Sequence, residues 1–568
     1  RRWKMTKKLL AVFLALVYTV AYIVVGPMVK AQYFSLDEVR PLSFILCFAI
    51  CSAVNILILC VIPKKDHYRI RKINERMSKW LEKFDDRLLF FIVWAFIFIM
   101  WLPAYLILYP GVLSYDMISQ TTSALGEITN NHHPVLHTWL IRVFMRMGEK
   151  LFSSYESGIG LLSLLQMIIL SYALSRMVML LKKKAVPILL VIGTAVLSAV
   201  WFMNACLSVT MIKDTLHAAF LVLFCCHFVE IATNPSEYIA RKRNFVLFPI
   251  VSFFMCAFRN NGLHIYLFCF AILLVLRISR FRKVKRYLPL IAVVILPVIM
   301  FKIYTGPVFD ALGIEPGQVR EALSIPIQQL QRVAVKRAGE LTPEQTEMMG
   351  YYIDDLEWRS WSPGREYDPF ISDPAKSCFI SSRYEDDPIA FWKFYLQTGK
   401  QFSKEYLVAF LSNTLGYWYP GYYDFSYVMY DNYAPETFPE PLERKSILKS
   451  KALEGYYESL CSSDFWRSTW GVRIFFVSGF APWILIFAVV LSWRKKGFFT
   501  MTLPLFLPLI AQYGIMLLSP MSSFRYSWPY YLMLPLTFIA IFTNKIAPAP
   551  QSLQVAERHG DENENNCI

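Results

Sequence analysis

The sequence predicts an all-α polytopic membrane protein with about twelve transmembrane helices, interfacial helices beside them, and a mixed, mostly helical exterior domain. Three observations carry that prediction. The 568 residues are 56% hydrophobic and only 18% charged, with a mean hydropathy of +0.39, which is too apolar for a soluble multidomain chain. Apolar runs close to the roughly 20 residues that a spanning helix needs recur along most of the length. The 58 Lys and Arg gather in alternate short segments between those runs, the pattern left when positive loops are retained on the cytoplasmic side.

Taken in order, the run at 9–29 follows a basic cluster, is long enough to span, and lacks a small-residue cleavage site, so it reads as an anchor rather than a cleaved leader. Runs at 41–62, 88–109, 158–181, 185–202 and 215–231 come next. The two shortest, 245–258 and 263–276, stand either side of Arg259, and 288–304 closes the first group. Three more, at 472–493, 498–518 and 528–542, follow a long polar insert. Five Lys or Arg fall in 1–8, nine in 63–87, three in 182–184, three in 241–243, six in 277–286 and three in 494–496, which puts both termini inside. The insert carries 24 acidic and 16 basic residues, so it belongs outside. The resulting organisation is a transmembrane module at 1–305 with an exterior loop at 110–157, an exterior domain at 306–470, C-terminal transmembrane helices at 471–543 and a cytoplasmic tail at 544–568. Because the basic residues are scattered over short loops, no nucleic-acid partner is expected.

Of the eleven cysteines, most lie in apolar runs and read as core fillers. Cys378 and Cys461 lie in the exterior domain, where a disulfide is open to them. No internal repeat is visible. The insert is too long for a structureless loop, and it is dense in aromatic residues, as in the run from Gly416 to Tyr423.

Chemistry concentrates after the third run. Tyr109-Pro110-Gly111 leads to Tyr115 and Asp116, then Gln120, then Asn130-Asn131-His132-His133-Pro134. A lone Asp there would read as a helix cap. Set among titratable and amide groups at the mouth of a bundle, Asp116 reads better as part of a site. Beyond Pro134, Leu136, Leu140, Val143, Phe144 and Met147 recur at helical spacing while Arg142, Arg146 and Lys150 fall elsewhere, as in a helix lying along the interface. Three cations occupy the outer ends of later runs: Lys213 before Asp214, Arg259 before Asn260 and Asn261, and Arg525 before Tyr526. Each has a plain reading, either snorkelling to lipid headgroups or, for Lys213, pairing with Asp214. Together with Asp116, His132 and His133 they would suit a phosphate held at the membrane surface. The two histidines also leave a metal open, although no third ligand stands at a motif spacing.

At these residues the chain resembles the GT-C superfamily of integral-membrane glycosyltransferases, and most closely a bacterial branch with a Pro-Gly, Tyr-Asp, Gln, His-His-Pro signature. The likeness lies in the exterior-loop Asp, the interfacial helix after it, the cations at later exterior ends and the late Arg-Tyr. It departs from the family in that Asp116 follows the third run rather than the first, no D-x-D pair accompanies it, and a Trp-Trp-Asp-Tyr-Gly motif is absent.

The resemblance implies a transferase of the bacterial plasma membrane that moves a sugar from a polyprenyl-phosphate donor to a hydroxyl of a cell-envelope glycan or glycolipid on the outer face, inverting the anomeric carbon. Asp116 would be the general base, and Lys213, Arg259 and Arg525, with His132 and His133, would hold the donor phosphate. Tyr115, Gln120, Asn260, Asn261 and Tyr526 would contact substrate, and the aromatic insert would close over the sugar. No cofactor is required, and a divalent cation is left open. Two other readings keep the same topology. One is an exterior glycan polymerase or ligase using a lipid-diphosphate donor. The other is a lipid-linked sugar flippase, for which paired broken helices near mid-membrane would be expected.

Overall fold

The computed structural model describes residues 2–36, 39–61, 68–112, 115–277, 284–353, 367–422, 432–433, 442–443, 445–461, 478–493 and 495–543. Helix dominates, and the one ladder among the described residues pairs Asn432–Tyr433 with Leu442–Glu443. Helix α1 (Arg2–Thr19) runs on through a π turn to Ala31 and pairs with α2 (Pro41–Ile56). Helix α3 (Asp86–Ile107) is capped by Asp85, whose carboxylate accepts from the Arg87 backbone N–H at 2.9 Å. A short helix, α4 (Tyr115–Leu125), precedes α5 (Val135–Phe152) and α6 (Tyr155–Lys183). Next come α7 (Ile188–Val200), α8 (Phe202–Ser208), α9 (Lys213–Thr233), α10 (Asn244–Phe258), α11 (Asn261–Arg277) and α12 (Val284–Ile303).

Among the described residues, seven helices are long and apolar enough to cross a membrane: Lys8–Ala31, Pro41–Leu59, Asp86–Ile107, Tyr155–Lys183, Lys213–Thr233, Leu288–Ala311 and Phe498–Leu517. The twelve expected runs do not all form such helices. Run 185–202 yields α7, which breaks at Trp201 and bends by 53° into α8. Runs 245–258 and 263–276 are separate short helices either side of the turn at Arg259 and Asn260. Run 528–542 is divided by a 3-10 turn at Leu534–Leu536, where Pro535 withholds the backbone N–H that a continuous helix would use. The expected run at 472–493 is described only from Ser478, and the tail at 544–568 lies outside the described residues.

Helix α9 is the axis of the bundle: 83% of its apolar window is buried against protein, compared with 11% for the window in α2. It packs on α6, on α10 and on α13 (Phe524–Met533). The α5–α6 hairpin is closed by Ser153 in the left-handed region and by Ser154, which caps α6. Gly148 and Gly158 let the two backbones touch there, since a Cβ on Gly158 would lie 2.2 Å from the Phe144 carbonyl oxygen. The helix expected after Pro134 forms, with its phase shifted. Its buried face is His137, Thr138, Ile141, Met145 and Gly148, whereas Val143 points outward with Leu151 and Phe152.

The insert has a core of its own, built from Leu330, Val333, Phe391, Phe394 and neighbouring side chains. Inside it Arg332 and Arg337 both bind Glu405, at 2.8 and 3.0 Å, and Arg332 also donates to Gln32 Oε1 at 2.6 Å, tying the insert to the end of the α1 span. The Cys461 side chain lies outside the described residues, and with it the expected Cys378 partner.

Two glycine substitutions test the packing. Gly158→Ala drives a methyl into backbone that no rotamer can relieve and should cost on the order of 1–3 kcal/mol, read as a lower melting temperature of the purified protein. Gly193→Ala in α7 meets nothing within 4 Å and should instead gain about 0.5–1 kcal/mol by removing helix-interior glycine entropy.

Candidate functional site

Asp116 stands in the first turn of α4. The loop before it is fixed by a two-residue bridge, in which the Val112 N–H donates to Val209 O at 3.0 Å and the Met211 N–H donates to Val112 O at 3.1 Å. Gly111, at φ +152°, makes this approach feasible, because a Cβ there would lie 2.8 Å from the Val209 carbonyl oxygen. Residues 203–212 are buried and back the site.

Four helix ends converge on a mixed-charge cluster. The Asp116 carboxylate pairs with Lys213 Nζ at 3.3 Å and with an Arg525 terminal nitrogen at 3.1 Å. Asp214, fully buried in the first turn of α9, pairs with Arg259 and lies 4.0 Å from Arg525 Nε. Lys213 thus turns to Asp116 rather than to its chain neighbour. Consecutive positions on a helix point in different directions, so Lys213 and Asp214 serve two sides of one cluster. The ring of Tyr526 lies 4.7 Å from the Arg259 guanidinium carbon and 4.8 Å from that of Arg525, and its hydroxyl accepts from Arg525 at 2.8 Å.

His133 completes one flank. Lys213 lies 3.2 Å from Nδ1, and a lysine ammonium can only donate, so Nδ1 is the acceptor and Nε2 carries the hydrogen toward Ser119 Oγ at 2.6 Å. Burial, and then Lys213, push this imidazole down to about 3, although Asp116 acts in the opposite sense. For Asp116, burial alone would raise the carboxyl, but Lys213 and then Arg525 outweigh it and hold the group well below the usual carboxylate range.

The remaining expected residues are distributed less favourably. His132 is exposed and reaches the cluster only through its ring contact with His133, at 4.7 Å. Gln120 is buried against α5, hydrogen-bonded to Thr138 and His137, so it fastens α4 rather than facing the charges. Asn260 and Asn261 make the turn that presents Arg259, and Asn260 is exposed. The Tyr115 side chain lies outside the described residues. Among the described residues no group of three or more His, Cys, Asp or Glu is placed to hold a metal ion.

The aromatic run of the insert packs instead of lining the cluster. Tyr417 is fully buried, and its hydroxyl contacts Ser519 Oγ, Met521 O and Ser523 N–H at 2.9–3.1 Å, pinning the strand that leads into Arg525. Tyr419 lies over Gly26. Sequence reasoning missed Asp214, Ser119 and Tyr417 as members or supports of the site. An acid directly after a cation at a span end was the available signal for Asp214.

The bundle also holds an apolar cavity of about 730 Å³, lined by residues such as Leu174, Leu197, Trp201, Ile484, Tyr531 and Phe538. Phe524, the residue before Arg525, contacts the rings of Trp201 and Tyr531, each at 6.1 Å, so one ring stands between these two lining residues and Arg525.

A family model described as a family of unknown function (DUF6020) matches residues 124–555, and the chain belongs to that family. The matched stretch includes Lys213, Asp214, Arg259 and Arg525; Asp116 stands before it. No curated protein and no solved structure matches the chain.

The depressed imidazole sets a pH dependence. Below the ordinary histidine value of 6.5 the unfolded chain takes up a proton that folded His133 refuses until about 3, so its contribution to stability is intact above 6.5 and is lost progressively as pH falls. Buried His137, pushed down to about 4, acts in the same direction. Thermal unfolding of His133→Gln should therefore depend less steeply on pH between 6.5 and 5 than that of the wild type. An unchanged slope would mean that His133 is not held neutral.

Proposed function

We propose that this member of the DUF6020 family is a GT-C-type glycosyltransferase of a bacterial plasma membrane, taking sugar from a polyprenyl-phosphate donor to an acceptor hydroxyl of a cell-envelope glycan or glycolipid. In this reading the bent α7–α8 pair, the shorter apolar helices and the segment 524–542 also cross the bilayer, giving about twelve passes, with both termini cytoplasmic and Asp116 outside.

The observation that carries the proposal is the cluster itself: two carboxylates, Asp116 and Asp214, interlocked with Lys213, Arg259 and Arg525 at four helix ends, with an apolar cavity of about 730 Å³ in the same bundle. Its charge favours one donor class over another. Lys213, Arg259 and Arg525 stand against Asp116 and Asp214, and neutral His133 adds nothing, which leaves one positive charge. A sugar linked to a lipid monophosphate is a phosphodiester with a single negative charge, whereas a lipid-diphosphate sugar carries two. The monophosphate therefore neutralises the cluster, and the ligase or polymerase reading ranks second.

The same ion pairs give the base a way to act only on a loaded enzyme. While Lys213 and Arg525 face Asp116, its proton affinity is low. A donor phosphate competes for those cations, draws them off the carboxylate and raises its basicity. The acceptor hydroxyl then gives its proton to Asp116, its oxygen bonds to the anomeric carbon from the far side, and the bond from that carbon to the phosphate oxygen breaks with its electrons going to the lipid phosphate. Lys213, Arg259 and Arg525 stabilise that leaving group, and the prenyl chain occupies the apolar cavity.

Orientation is checked by labelling in intact cells. Glu127→Cys should react with an impermeant thiol reagent and Lys242→Cys should not; the reverse pattern would place Asp116 in the cytosol and end the polyprenyl-phosphate reading. Chemistry is checked by Asp116→Asn, which keeps the side-chain shape and loses the base. Transfer from a labelled polyprenyl-phosphate sugar should fall by a hundredfold or more while donor binding persists, since general-base catalysis is worth about 10²–10⁴. A variant that retains more than about a tenth of the rate, or ~1.4 kcal/mol of barrier, would remove Asp116 from that role.

A further inference from the structure

The far end of the same bundle holds a second charged pocket. The first turns of α3, the last turns of α6 and α9, and the loop before α10 enclose about 500 Å³. Helix α9 separates the two sites, since it begins at Lys213 and its Glu230 lines this second pocket. At 1.5 Å per residue its length is about 30 Å, a hydrocarbon core's thickness.

The pocket has more positive charge than its own carboxylates can absorb. Glu230 is taken by Lys183 and Arg241, at 2.5 and 3.2 Å, and Asp86 by Lys182 at 2.6 Å. Arg87, Arg176 and Arg243 also line the pocket, and none of them has an ion-pair partner among the described residues. Arg176 is the telling one, because it is half-buried on α6, two turns inside the helix end, where an uncompensated guanidinium is costly. The outer wall is aromatic: Phe90 and Tyr172 meet edge to face at 5.2 Å, and Phe91 is 56% exposed toward the side of the bundle.

Cations at the depth of helix ends, with aromatic side chains opening laterally, match a ligand whose anionic head sits at the membrane surface and whose tails leave sideways. We propose that this pocket binds the phosphate headgroup of an anionic phospholipid in the leaflet opposite the Asp116 site. The lipid phosphate supplies the counter-charge for Arg176, Arg87 and Arg243, and its acyl chains run along Phe90, Phe91 and Tyr172. A free phosphate would share the head contacts but not the aromatic wall.

The full-length protein in nanodiscs tests this without any assay of transfer, so the outcome is separable from the fate of the glycosyltransferase reading. After exchange from phosphatidylglycerol into phosphatidylcholine, native mass spectrometry should find phosphatidylglycerol retained on the wild type. Arg176→Gln should retain about fivefold less, the worth of one cation at a lipid surface. Arg243→Gln lies on an exposed loop, so it reports on the same pocket if Arg176→Gln fails to fold, and it should show a loss in the same direction. Equal retention by wild type and variants would overturn the proposal. So would release of the lipid by millimolar inorganic phosphate, which would assign the pocket to a soluble anion.

Discussion

Arg525 bridges two carboxylates, and the rest of the site depends on that placement. Its guanidinium reaches Asp116 from one side and buried Asp214 from the other, and Asp214 is held in turn by Arg259. Charges withdrawn from water carry a desolvation cost of several kcal/mol each unless they are well paired. The starts of α4, α9 and α13 and the α10–α11 turn must therefore meet at one point. That meeting fixes the tilt of helices which apolar packing alone would leave free to slide.

Much of the candidate site was legible because charge at the end of an apolar run has few places to go. Asp116, Lys213, Arg259 and Arg525 all stood out on that ground, and all four meet. Pairing was not legible, since it depends on which helix ends face each other. Asp214 read as Lys213's neighbour, yet it belongs to Arg259. Gln120 looked functional from its company in the chain, but its helical phase turns it to His137 and Thr138. Hydropathy likewise recovered the apolar runs without their geometry. A run keeps its composition when proline or a bend interrupts it, as at Trp201 and Pro535, so the number of full-length helices fell below the number of runs. The aromatic residues after Gly416 were equally ambiguous, because a Tyr that lines a sugar site and a Tyr that pins a loop have the same composition; the three hydroxyl contacts of Tyr417 decide for the second.

The two charged regions follow different logics although they share α9. At the Asp116 end the ion pairs are interlocked and nearly balanced, which keeps the carboxylate ionised and strongly held. At the far end the acids are saturated and arginines are left over. A balanced cluster presents a competition that an incoming anion must win, while an unbalanced one presents an open place. Occupancy of the first is therefore expected to be conditional, and of the second to be standing.

The burial gradient across the bundle bears on how the membrane acts on this protein. The spans of α1, α2, α3 and α12 are 11–28% buried and present most of their surface outward, whereas α9, which carries Lys213 and Asp214, is 83% buried among other helices. Strain from a bilayer thinner or thicker than the spans is felt where side chains touch acyl chains, and it is relieved there by tilt. The α1 span is itself tied to the insert, through Gln32 with Arg332 and Gly26 with Tyr419, so a lean of the hairpin is passed to the insert rather than directly to α9. Mismatch strain on those outer spans therefore reaches the charges only through the helices and the insert that surround α9.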